Sequence, residues 1–448
     1  MSVLPFKRSG LITDAVGTMV LRLFGIGLVF ATTVVSAKVL GPAEFGAFNA
    51  GLSMTIVLAS MLPMGTDRIL ARNVAGAKTP ADAGLDTALA HLSSLIAATL
   101  LIGLGILLYC FASIAIIPRS WQQSAFLAAI MVVPVTLTNL RQWVAIPLMG
   151  TRFAVLPEQT LVPIAVLSAF GIAFALGIRM QAMSAAWVYA GIGTTVWMAS
   201  LLTPTIRQAY YAALSSSPRP RQIVNYIRSA LPFVNLSVGC ILLQRCLPLI
   251  TVLTCGFSET GQFVIAQQLS GLAAIPLGVA TLVILPRCVR LFRAGQTEAT
   301  SESIRNAATL TFALSVFIAF ATWLATPLLP YLFGGSYARV EQILPILLLM
   351  AIVESVSGPS MAVMQAMNLE HKLSRSITGF VPLQLGLVYG FSRLLGLEGA
   401  AIGLLVARIL WITMVVGIIF RAQRIVSLPS LKIHGSEIRR ILLSVRAA

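Results

Sequence analysis

Five charged residues stand inside stretches that are otherwise apolar: Arg22, Arg141, Arg245, Arg408 and Glu354. A charge at the centre of a bilayer costs about 2.5–3.5 kcal/mol on insertion scales, so one that persists there faces a cavity, a partner or water. Arginine stays ionised, and its planar donors bind phosphate oxygens in pairs. Arg245 lies three residues before Pro248, which removes a backbone hydrogen bond and permits a bend. Arg245 and Arg22 are therefore candidate contacts for an anionic head group, with Arg141 and Arg408 completing the set. The other reading of each is a structural arginine that snorkels or pairs. Arg141 and Glu354 occupy nearly corresponding places in the two halves of the chain and are expected to pair, as a structural contact or a gate. Glu354, shortly before Gly358-Pro359, is also the best-placed carboxylate for coupling to a proton or cation.

Little else could do chemistry. The five cysteines, Cys110, Cys240, Cys246, Cys255 and Cys288, have no C-x-x-C spacing and read as small buried hydrophobes. His91, His371 and His434 are far apart. No zinc-protease, nucleophile-elbow or P-loop pattern occurs. The expectation is a protein that is not an enzyme, with no catalytic residue, metal or cofactor.

The elements that must hold those charges follow from composition. Of 448 residues 58% are hydrophobic, and only 10% are charged, against about 25% in soluble domains. The mean hydropathy is +0.92. A soluble globule could not hide so much apolar surface, and a disordered chain would not carry it. Apolar stretches long enough to cross a bilayer recur near 16–40, 45–66, 84–112, 121–149, 156–177, 182–202, 229–254, 262–285, 304–330, 341–367, 373–395 and 399–420. The fold class expected is an all-α polytopic membrane protein of about twelve transmembrane helices. The first span lacks a small-residue cleavage site and reads as an uncleaved helix.

The net charge of +17, from 31 Lys and Arg against 14 Asp and Glu, would suggest nucleic acid in a soluble protein. Here it sorts by side instead. With the N-terminus inside, 22 of the 31 basic residues fall on cytoplasmic segments, five on the opposite side and four within spans. That asymmetry places both termini in the cytoplasm and argues against a nucleic-acid partner. The tail carries Ile438, Ile441, Leu442 and Val445 on one helical face and Arg439, Arg440 and Arg446 elsewhere. It reads either as an interfacial helix on anionic lipid or as a solvated basic tail.

An internal repeat divides the chain. Gly41-Pro42-Ala43-Glu44-Phe45-Gly46-Ala47-Phe48 and Gly256-Phe257-Ser258-Glu259-Thr260-Gly261-Gln262-Phe263 share G-x-x-E-x-G-x-F at an offset of 215 residues. Arg72 and Lys78 match Arg287 and Arg293 at the same offset. The glycines permit tight helix approach, the glutamate suits a helix N-terminus, and the aromatic suits the membrane interface. The motif reads as architectural. The expected organisation is an N-terminal six-helix bundle (1–202), a basic cytoplasmic linker (203–228), a C-terminal six-helix bundle (229–420) and a basic cytoplasmic tail (421–448). Six spans per half orient both halves alike, related by an axis along the membrane normal around a central cavity.

The segment Leu40-Gly41-Pro42-Ala43-Glu44-Phe45-Gly46-Ala47-Phe48 resembles the signature after the first helix of the polysaccharide-biosynthesis proteins, the Wzx-type oligosaccharide flippases of the multidrug/oligosaccharidyl-lipid/polysaccharide exporter superfamily. Leu332-Phe333-Gly334-Gly335-Ser336-Tyr337 is similar to the segment before that family's tenth helix, and Gly396-Leu397-Glu398-Gly399-Ala400-Ala401 to the start of its last helices. The resemblance implies a bacterial inner-membrane flippase. It would carry undecaprenyl-diphosphate-linked oligosaccharide repeat units to the periplasmic leaflet by alternating access, for O-antigen, capsule or exopolysaccharide. Its partners would be the lipid-linked oligosaccharide, membrane lipids, a polysaccharide polymerase and a chain-length regulator. Two other readings stay open: a multidrug or cation-coupled exporter of the same architecture, and a non-transporting scaffold of an envelope assembly.

Overall fold

A computed structural model describes residues 8–77, 79–111, 118–367, 369–423 and 428–429. The expected interfacial tail helix and Lys78 lie outside the described residues. Among those described, the regular elements are helices, without a strand. The helices are apolar on most sides, as elements bathed in lipid must be once their backbone groups are satisfied internally.

The first helix, α1 (Arg8–Met61), contains a 45-residue apolar stretch from Gly17 to Met61. At about 1.5 Å per residue it is more than twice as long as the ~30 Å hydrocarbon layer is thick. It breaks at Gly41, whose φ of 72° is open to glycine at little cost. The short amphipathic α2 (Thr66–Ala75) leads to α3 (Gly84–Phe111) and α4 (Arg119–Met149). Gly150, at φ 87°, turns the chain into α5 (Thr151–Leu156), a π-helical turn (Pro157–Leu161) and α6 (Val162–Ala175). Next come α7 (Ala182–Ser200) and α8 (Pro204–Ser215), bent by 96°, and α9 (Pro220–Arg245) and α10 (Leu247–Cys255), bent by 42°.

The remaining helices are α11 (Phe257–Ala273), α12 (Ile275–Arg293), α13 (Thr297–Leu324), the short α14 (Leu329–Phe333), α15 (Val340–Val356), α16 (Ser360–Ala366) and α17 (Glu370–Gln423). The last repeats the behaviour of α1. Its apolar stretch runs 52 residues and breaks at Gly396. A Cβ on Gly399 would overlap the Phe391 carbonyl, and one on Gly403 would stand 2.9 Å from that of Leu387. The Phe380 and Trp411 rings are 4.9 Å apart. These pairs step outward from the break, so α17 is an antiparallel helical hairpin. Six described helices are long and apolar enough to span. Dividing the two double-length ones, and adding the three bent pairs and α3, accounts for the twelve spans read from the sequence.

The chain forms two compact units, one through Gly261 and one from Gln262. The segment 203–228, expected as a linker, is largely helical: Ile206 and Ala209 of α8 and Tyr226 of α9 are buried in the first unit. The second repeat motif explains where the boundary falls. A Cβ on Gly46 would overlap the carbonyl of Phe257, and one on Gly261 would overlap the carbonyl of Pro42. Each contact is the other shifted by the repeat offset, so the two motifs meet reciprocally, backbone against backbone. Both first glycines also share one conformation, with φ, ψ of 72°, 169° at Gly41 and 88°, 178° at Gly256. The motif aromatics are not interfacial as expected. Phe48 and Phe263 are 6% and 0% exposed, because the close backbone approach draws them into the core.

The interior is lined by small residues. Ala37, Ala50, Ala59, Ala90 and Ala128 are fully buried, while Phe317, Phe320 and Trp323 of α13 are exposed. Lipid is as apolar as leucine, so close backbone contact rather than bulk hydrophobicity drives helix association. Gly46→Ala is expected to lower stability by about 3 kcal/mol through overpacking. Gly27→Ala, with open space around it, should stay within about 0.5 kcal/mol. Thermal melting of both variants in detergent checks this, and equal melting would remove the glycine contact from its structural role.

Candidate functional site

The hairpin of α4 and α5 settles one intramembrane charge. Arg141 lies nine residues before Gly150 and Glu158 eight after it, so the turn brings them face to face. The Arg141 Nη2 stands 2.8 Å and 2.9 Å from the two Glu158 carboxylate oxygens, and it also donates to the Ala154 carbonyl. Arg141 is 3% exposed and Glu158 21%. Glu158 sits in the π-helical turn, where the extra residue per turn redirects side chains. Gly25 of α1 presses on this turn: a Cβ there would come within 2.6 Å of the Gln159 carbonyl.

The expected pair of Arg141 with Glu354 is thereby corrected. Glu354 of α15 faces Arg408 of α17 instead, at 3.6 Å. Each charge has a partner in its own unit, reached through local helix pairing. Sequence reasoning passed over Glu158; the usable signal was a lone carboxylate in an apolar span, nearly as far after the helix-breaking Gly150 as Arg141 is before it.

Two arginines are left without a carboxylate among the described residues. Arg22 is exposed on the first half of α1, in a row with exposed Val20, Leu23, Phe24 and Ile26. Arg245 is the last residue of α9, at the break before α10, and is also exposed. Pro248 has no N–H to give to the Gln244 carbonyl, so the helix bends there. The indole of Trp121 on α4 donates to the Leu249 carbonyl at 3.2 Å, tying the bend to a neighbour. Tyr189 of α7 lies within electrostatic range of Arg245. Its ring stands edge-on to Phe48 of the repeat motif, with centroids 6.2 Å apart. The break thus presents an exposed cation on a backbone tied to α4 through Trp121.

The repeat motif also places helix ends. Glu44 accepts from the backbone N–H of Ala182 at 2.7 Å, capping α7 rather than its own helix. In the second unit Gln262 accepts from the N–H of Arg339, before α15, at 2.9 Å. Near the start of α3 and α9 lies a further polar cluster: Asn73 donates to Asp86 at 2.7 Å. Burial holds the Asp67 carboxyl above its usual range against the nearby Arg68. Burial, helped by Asp86, likewise pushes the Tyr226 phenol up. No group of three or more His, Cys, Asp or Glu among the described residues is arranged to hold a metal ion.

No protein-family profile matches the chain, and no curated protein matches it. Solved structures do. An inward-facing multidrug resistance MATE family transporter of the MOP superfamily is 16% identical over 92% of this chain and 98% of that one, with a TM-score of 0.71. An outward-facing one is 16% identical over 91% and 96%, with a TM-score of 0.56. A MOP superfamily transporter from Pyrococcus furiosus, described as having a binding pocket of reverse polarity that suggests a different function, is 16% identical over 92% and 95%, with a TM-score of 0.56. The chain therefore has the fold of MOP superfamily transporters, and it is a multi-pass membrane protein.

Arg141→Ala is expected to cost about 3 kcal/mol, because it leaves the Glu158 carboxylate buried alone. Replacing both by leucine should restore most of that loss. Melting of the single and double variants in detergent tests it; a double variant as unstable as the single one would mean that the two do not act as a pair.

Proposed function

We propose that the chain is an alternating-access transporter whose cargo carries phosphate: an undecaprenyl-diphosphate-linked oligosaccharide, moved from the cytoplasmic to the periplasmic leaflet of a bacterial inner membrane. The observation that carries this reading is the sorting of the intramembrane charges. Arg141 and Arg408 are neutralised by Glu158 and Glu354. Arg245 is not, and it stands exposed at a helix break. An arginine left unpaired in a span is costly unless water or an anion meets it. Its fork matches a phosphate. Arg22 is the second unpaired cation and the second proposed contact. The isoprenoid tail stays in lipid while the head group passes. The fold supports transport, since it is shared with transporters solved in both inward- and outward-facing conformations. A polymerase and a chain-length regulator are the proposed downstream partners.

The competing reading is drug export, the role given for the multidrug resistance relatives. A cationic drug or coupling ion would be met by a free carboxylate. Glu158 and Glu354 both face arginines, which disfavours that reading without an exchange of partners.

Reconstituted full-length protein should turn a diphosphate-linked lipid oligosaccharide between leaflets. Arg245→Ala should slow it at least about tenfold, or ~1.4 kcal/mol, with Arg245→Lys retaining part. Unaltered flipping in both Arg245→Ala and Arg22→Ala would overturn the cationic site. Transport of organic cations in place of the lipid would favour the exporter.

A further inference from the structure

The α17 hairpin brings its two ends together, and between them lies a cavity of about 430 Å³ lined by His371, Lys372, Arg375, Ser376 and Ile418. It uses none of the arginines assigned above. His371, Lys372 and Arg375 are exposed, and none of them has a carboxylate partner among the described residues. Ile418, from the returning half of the hairpin, is half-buried and forms the apolar wall.

The location is informative. The apolar stretch of α17 begins at His371 and ends at Ala422, so the cavity opens where hydrocarbon gives way to head groups. Basic side chains without a carboxylate partner among the described residues, with a serine hydroxyl on one wall and an isoleucine on the other, match an amphiphile's phosphate. Arg375 can hold two oxygens in one plane while Lys372 acts as a point charge. They stand in the opening turns of a helix, where the backbone dipole adds to the attraction for an anion. The volume falls within the range of small-ligand sites. It exceeds the needs of a bare phosphate, leaving room along Ile418 for the apolar part of the ligand.

We infer that this cavity is a binding site for a phosphate-bearing anion, a phospholipid head group or a soluble phosphate compound.

Full-length protein in phosphatidylcholine vesicles containing a minor share of spin-labelled phosphatidylglycerol tests both sources, with inorganic phosphate as the soluble probe. If the ligand is lipid, the wild type immobilises the labelled lipid. The Lys372→Ala/Arg375→Ala variant then weakens that binding at least about tenfold, or ~1.4 kcal/mol. Ile418→Trp, which fills the cavity and keeps every charge, weakens it comparably. If the ligand is soluble, inorganic phosphate raises the melting temperature of the wild type and of neither variant, and labelled lipid is not immobilised. Should the double alanine variant fail to fold, Ile418→Trp and Arg375→Lys carry the comparison. Equal binding by wild type and variants overturns the inference. So does full binding by Ile418→Trp alongside loss in the charge variant, because surface charge would then act without the cavity.

Discussion

The first unit depends on one contact between two backbones. At Gly46 and Gly261 the chain passes so close to the carbonyls of Phe257 and Pro42 that no side-chain carbon fits. The contact is reciprocal under the repeat offset, so each motif is both the closely approached and the approaching strand of chain. In water a hydrophobic core would hold such helices together. In lipid that force is absent, and association rests on how closely backbones approach and on the hydrogen bonds they carry. Phe48 of the motif is buried, with the Tyr189 ring edge-on to it at 6.2 Å.

The second constraint is the treatment of charge. Each intramembrane carboxylate described above meets an arginine through local helix geometry: Glu158 across the Gly150 turn, and Glu354 across the α15–α17 contact. Pairing removes the cost of those charges and also removes them from use. What remains is a small positive surplus at Arg245 and Arg22. A binding site for an anion thus arises by subtraction, from the arginines that the fold does not neutralise.

The polar residues that are not charged follow the same logic. Thr33, Thr55, Thr87 and Thr136 each return their hydroxyl to the carbonyl four residues earlier, at 2.7–2.9 Å. A hydroxyl that returns to its own helix can be buried at low cost. Alanines such as Ala37 and Ala128 mark the close helix contacts, Phe45, Phe170 and Leu127 fill the remaining core, and large apolar side chains such as Phe317 and Trp323 also face outward. Apolar residues on both sides of a helix are expected where the surrounding phase is itself apolar.

The sequence by itself determined what one-dimensional quantities can express. Apolar length set the number of helical spans and their approximate places, since a bilayer demands about 20 residues per crossing, while several ends, such as those of α9, α12 and α13, fall five to nine residues away. The spacing G-x-x-E-x-G-x-F marked the repeat, and its first glycines, Gly41 and Gly256, take matching backbone angles. Only the tertiary structure decided partners. Arg141 and Glu354 looked matched because their positions correspond, but a salt bridge forms by distance, and the π-helical turn offered Glu158 first. Glu44 suited a helix N-terminus by its place in the motif, and the helix it caps is the distant α7, through the N–H of Ala182. Likewise His371 to Ser376 and Ile418 are unrelated in sequence until Gly396 folds α17 back on itself. Composition records how many charges a membrane protein carries; which of them stay free depends on contacts between helices that no local pattern encodes.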